Sequence, residues 1–122
     1  MKIALLLTSL SLLILSASDC GKKNTVYKGK LEIRGICMNY TIRLLEGDMD
    51  TSLLVAGWTD ETTGKSYKNV FRLGSPCTFP STINEGDEFY FTIDTSEVKE
   101  CAVCMAYYPT PPKKLAIKVR EK

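Results

Sequence analysis

Residues 25–45 read TVYKGKLEIRGICMNYTIRLL, and this stretch decides the fold. Tyr27, Leu31 and Ile33 alternate with Lys28, Lys30, Glu32 and Arg34. A period of two leaves one face of a strand apolar and the other polar. After Gly35 the phase shifts by one, and Ile36, Met38, Tyr40, Ile42 and Leu44 become the apolar set. A one-residue slip at a glycine is what a β-bulge produces, and a bulge bends its strand. The pattern predicts one long, bent first strand, the device by which a small barrel closes.

Outward from this stretch the pattern stays β. Tyr67–Leu73 and Glu88–Asp94 read as strands, the second with Phe89, Phe91 and Ile93 on one face. Leu115, Ile117 and Val119 alternate with Lys118 and Arg120 in the last strand. Glu46-Gly47-Asp48 and Glu85-Gly86-Asp87 are turns. Asp48 or Asp50 can cap a short helix through Leu53, Leu54 and Ala56, ended by Gly57. Residues 60–66 form a polar loop, and Pro109, Pro111 and Pro112 deny the connection after Cys104 to a central strand. The expected fold is mainly β: a small five-stranded, OB-like barrel with one short helix and two disulfides. The alternative is a β-sandwich, because residues 60–81 have room for an extra hairpin.

The leader has three parts: the charged start Met1-Lys2, an apolar run from Ile3 to Leu15, and the small residues Ser16-Ala17-Ser18. That is a secretory signal, and its apolar run is shorter than the roughly 20 residues that span a bilayer. The expected organisation is a signal peptide over 1–19, a lipid-attachment tether over 20–25 and one β-barrel domain over 26–122. Cys20 is the expected lipidation site, because the other four cysteines make an even set and an odd one in an exported chain needs another role. Asp19 departs from the small residue that a bacterial lipoprotein signal places there, and cleavage after Ser18 competes.

Cys37, Cys77, Cys101 and Cys104 remain. In an exported domain they are expected as two structural disulfides, each contributing about 2 to 4 kcal/mol. Residues three apart in an extended chain face opposite ways, so Cys101 and Cys104 take different partners. Of three possible pairings the expected one is Cys37 with Cys104 and Cys77 with Cys101. The competing reading uses Cys101-x-x-Cys104 as a thiol or metal site, but Glu97 and Glu100 beside it raise a thiol pKa. The chain has no histidine, which removes the usual general base and the commonest metal ligand. No catalytic residue, cofactor or metal is assigned.

Charge is unevenly placed: both ends of the mature chain are basic and residues 46–100 are acidic. Asp48/Asp50, Asp60/Glu61 and Asp87/Glu88 lack the spacing of a calcium loop, and turn chemistry explains them. Asn39-Tyr40-Thr41 matches a glycosylation sequon inside an expected strand and is read as chance. Phe89, Phe91 and Tyr40 fall on core phases. Tyr90 is on the opposite phase and Tyr107-Tyr108 precede the prolines; these three, with Trp58, are the candidates for an exposed binding surface. Loop packing is the plainer reading of all four.

The Cys20-Gly21-Lys22-Lys23 start, the Gly35-Ile36-Cys37 region, the Glu85-Gly86-Asp87-Glu88-Phe89 turn and strand, and Cys101-x-x-Cys104 before a proline-rich, basic end resemble small exported lipoproteins of Bacteroidetes-type bacteria. The resemblance implies an anchored β-barrel module and brings no site residues with it. The expected function is therefore binding or structural, at a bacterial cell envelope, without catalysis. The expected partners are the membrane surface, through the acyl anchor, and an envelope protein or glycan. Nucleic acid is not expected.

Overall fold

The computed structural model describes residues 25–97 and 100–120. The expected leader and the Cys20 lipidation site lie outside them. Within them the chain is mainly β, with seven strands in one sheet and only single turns of 3-10 helix. The strands are β1 Tyr27–Arg34, β2 Tyr40–Glu46, β3 Val55–Thr59, β4 Ser66–Leu73, β5 Glu88–Ile93, β6 Lys114–Leu115 and β7 Ile117–Arg120. Their order is β3-β4-β2-β1-β5-β7, with β6 off this path and paired to β4. Every pairing is antiparallel except β4 with β6.

The long first strand is two strands. Residues 25–45 fold back on themselves, so that Leu31 pairs with Ile42 and Arg34 with Tyr40. The phase shift at Gly35 comes from a tight hairpin, not a bulge. A 3-10 turn at Ile36–Met38 makes the reversal, with Cys37 and Met38 both at positive φ. Ile36, expected on the apolar face, sits on this turn and is exposed. The ladder does carry irregularities, but between Lys28 and Gly29 and between Leu31 and Ile33.

The expected short helix is also corrected. Asp50 caps only a single 3-10 turn, Thr51–Leu53, with its side chain accepting from the Ser52 N–H. Gly57 does not end a helix; it lies inside β3. The extra hairpin does not lie within residues 60–81: the strand expected at Tyr67–Leu73, here β4, pairs with a strand before them, β3, where the helix was expected. Asn69 sits in β4 at φ 56, and pairing with β2 stops at Val70. Beyond that kink β4 continues with β3 alone.

The core follows the period-two faces. Leu31, Ile42, Phe71, Leu73, Phe91 and Ile117 are buried. Phe91 is its centre, with ring centroids 5.5 Å from Tyr27 and 5.9 Å from both Phe71 and Phe89. Phe79, between the proline-pinned turn and β5, meets Phe89 and Tyr40 edge-on. Each such ring contributes about 1.5 to 3 kcal/mol by leaving water. Cys37 bonds Cys104 and Cys77 bonds Cys101, with Cα–Cα distances of 5.0 and 5.7 Å.

Candidate functional site

The side of the sheet away from this core carries the most unusual surface. Thr41 and Arg72 are direct partners in the β2–β4 ladder, so their side chains share a face. The connection from β5 to β6 crosses near them. Cys104 is tied there by its bond to Cys37, and Asn39 Nδ2 donates to the Ile36 and Ala106 carbonyls at 2.9 and 3.0 Å. Asn39, read from sequence as a chance sequon in a strand, is a clamp between two segments.

The same connection reaches the β3–β4 hairpin. Asp60 begins the reversal: its N–H donates to the Lys65 carbonyl, and its carbonyl accepts from Gly64 at 2.7 Å. Gly64 has φ +77, the left-handed conformation that a side chain would strain. The Asp60 side chain, read from sequence as turn chemistry at the start of a polar loop, is buried. Its Oδ1 accepts from the Thr62 N–H and hydroxyl at 2.9 and 2.7 Å, and its Oδ2 accepts from the Tyr108 hydroxyl at 3.3 Å. Burial pushes its pKa up, but these donors outweigh burial and hold it below the ordinary aspartate value. The Asp-x-Thr spacing was the available signal, and it gave no sign that a tyrosine 48 residues on would complete the set.

The four candidate aromatics do not form one patch. Tyr107 and Tyr108 meet the hairpin tip, where Tyr107 donates to Glu61 Oε1 at 3.3 Å. Desolvation and the Glu61 carboxylate together raise the Tyr107 pKa. Trp58 lies on the same hairpin, half-buried and stacked on its cross-strand partner Tyr67 with centroids 6.0 Å apart. Tyr90 belongs elsewhere. It takes Lys28 over its ring at 5.8 Å and lines a different groove of about 340 Å³, with Ile83 and Val119.

A cavity of about 300 Å³ opens between the Cys37–Asn39 turn and residues 103–110, lined also by Arg72. A second, of about 540 Å³, lies on the other side of Val103 against Cys77, Cys101 and Lys114. The segments around them expose large apolar side chains: Ile36 is 58 % exposed, Val103 40 %, Met105 93 % and Tyr107 76 %. With the four sulfurs bonded in pairs, Cys101 and Cys104 offer no thiolate. Among the described residues no group of three or more acidic or cysteine side chains is placed to hold a metal. Two disulfides point to an oxidising, extracytoplasmic setting. No family model, curated protein or solved structure matches the chain.

Proposed function

We propose that this chain is an exported, lipid-anchored module of a bacterial cell envelope that works by binding and performs no catalysis. One observation carries the binding role. Four of the five large apolar side chains most exposed among the described residues, Ile36, Val103, Met105 and Tyr107, sit on two segments that a single disulfide joins. Such a concentration of apolar surface marks an interaction site, and the covalent brace makes it a rigid one. The leader, the spare Cys20 and the resemblance to Bacteroidetes-type lipoproteins support the anchor and the envelope.

The sheet is read as a small OB-like barrel, closed where β6 meets β4. Support comes from the Arg72 N–H donating to the Lys113 carbonyl and the Gly74 N–H donating to the Leu115 carbonyl, both at 2.8 Å. A Cβ on Gly74 would stand 3.0 Å from the Leu115 carbonyl carbon, so a side chain there would push the two segments apart by a few tenths of an ångström. The buried Ser75 hydroxyl donates to the Ile117 carbonyl and accepts from the Ile117 N–H, both at 2.9 Å. In a barrel of this kind the turn after the first strand and the connection before the last one flank the binding face. The exposed apolar side chains lie on those two segments. That correspondence is fold analogy and supports a place, not a ligand.

Two experiments test the reading. The intact mass of protein made with its own leader should show a chain starting at Cys20, heavier by a diacylglycerol and an acyl group, and inert to thiol alkylation. A chain starting at Asp19 with alkylatable thiols would remove the anchor and revive the thiol or metal alternative. A photo-crosslinking amino acid at Met105 should form adducts in intact cells, while the same group at Lys68 should not. Equal adducts at both positions, or none, would remove the binding role.

A further inference from the structure

Residues 100–111 run without helix, strand, turn or bend, so this part of the chain is extended. Every residue from Cys101 to Tyr107 is exposed, with the apolar side chains of Val103, Met105 and Tyr107 among them. Among the described residues the backbone of 101–107 makes one hydrogen bond, in which the Ala106 carbonyl accepts from Asn39. The segment has the exposed apolar side chains and the open main-chain groups of a strand that lacks a neighbour. Cys101 is held to Cys77 and Cys104 to Cys37. That order is built in before any partner arrives, which lowers the entropic cost of docking.

Charge selects the occupant. The exposed Arg72 side chain, at the 300 Å³ cavity, has no ion pair or hydrogen bond among the described residues. Thr41, directly across the ladder on the same face, has a buried hydroxyl with no partner. That hydroxyl is out of reach of a docking chain, and the guanidinium without an acceptor is what suits a carboxylate. Glu61, at the neighbouring hairpin tip, is engaged with the Tyr107 hydroxyl. We propose that residues 101–107 dock an extended acidic segment of a partner protein by strand addition, the mode in which main-chain bonds give affinity and alternate side chains give specificity. Val103, Met105 and Tyr107 take its apolar side chains, and Arg72 takes a carboxylate. The inference rests on the binding-module reading and names the chemistry of the partner.

The test titrates the full, oxidised mature chain, labelled with nitrogen-15, with blocked pentapeptides that alternate valine and glutamate. The lysine counterpart and tetragalacturonate are titrated alongside. The glutamate peptide should shift the amides of 102–107 and slow their exchange with solvent, and the lysine peptide should bind at least tenfold more weakly. Arg72→Gln should weaken the glutamate peptide about tenfold, the usual effect of losing a charge-assisted contact, with the core resonances unmoved. Met105→Pro removes a main-chain donor at an exposed position and should abolish protection, while Met105→Leu should retain it. Absence of amide protection, equal affinity for the lysine peptide, or full affinity in Arg72→Gln overturns the proposal. Shifts with tetragalacturonate alone overturn it in favour of an acidic glycan and leave the binding module standing. Protection of 102–107 that rises with protein concentration before any peptide is added assigns the strand to a second copy, and also overturns it. No shift with any probe refutes the acidic-peptide docking, while the Met105 crosslinks report separately on the module.

Discussion

Removing the Cys37–Cys104 bridge should cost more stability than removing Cys77–Cys101, and the structure sets the size of the difference. The first bridge spans 67 residues and the second 24. On the chain-entropy relation these correspond to about 4.4 and about 3.5 kcal/mol at 25 °C. The two loops overlap, which changes the first figure. With Cys77–Cys101 intact, the shortest path from Cys37 to Cys104 falls to about 43 residues, so removing the long bridge alone costs about 4 kcal/mol. The short bridge, formed inside the ring that the long one already closes, falls likewise to about 3 kcal/mol. Cys37→Ala/Cys104→Ala should therefore lower the melting temperature by roughly 16 to 32 °C, at about 4 to 8 °C per kcal/mol in a domain of this size. Trp58 is the only tryptophan, and its stacking on Tyr67 makes its emission a probe of the β3–β4 hairpin. Urea unfolding followed by that emission measures both double variants. The result that refutes the reasoning is a Cys77→Ala/Cys101→Ala variant less stable than the Cys37→Ala/Cys104→Ala one, or a loss below about 1 kcal/mol for either. Both would mean that the connection is held by packing and not by its bridges.

Three other outcomes follow from the geometry. Asp60 has a folded-state pKa below its unfolded value, so its stabilisation is present above the unfolded pKa and is lost as pH falls through the folded one. Acid titration of the urea midpoint from pH 5 to pH 2 should show a shallower fall in Asp60→Asn than in the native chain, and an identical slope would remove the role of that carboxylate. Asn69→Val forces a β-branched side chain into positive φ and should cost about 1 to 3 kcal/mol, whereas Asn69→Gly should be neutral or stabilising by thermal melting. Phe91→Ala empties the centre of the aromatic cluster and should cost about 3 to 5 kcal/mol in denaturant unfolding. A loss under about 1 kcal/mol would show that the cluster collapses to fill the space.

Period-two alternation belongs to the chain itself. Tyr27, Leu31, Ile33, Phe89 and Phe91 were legible as an apolar face because each strand must bury one side whatever its neighbour. The mainly β class and two disulfides followed from the same local rules, together with the even cysteine count. The hairpin at Gly35–Asn39 was not legible as a hairpin. A bulge and a tight turn both shift the phase by one, and only pairing across the turn separates them. The helix expected before Gly57 failed for a related reason, since capping by Asp50 is local but continuation depends on what packs against it. β4 offered Val55–Thr59 a ladder, and the ladder won.

The site divides in the same way. Sequence named Tyr107 and Tyr108, just before the prolines, as candidates for an exposed surface, and gave the connection its prolines and cysteines. It could not place Tyr108 on a buried Asp60, set Arg72 opposite an unpartnered Thr41, or separate Tyr90 from the other three aromatics. Those relations join residues tens of positions apart, and no local preference encodes them. A strand's own face is decided by its alternation, but what lies across that face is decided only when the sheet folds up and brings distant segments into contact.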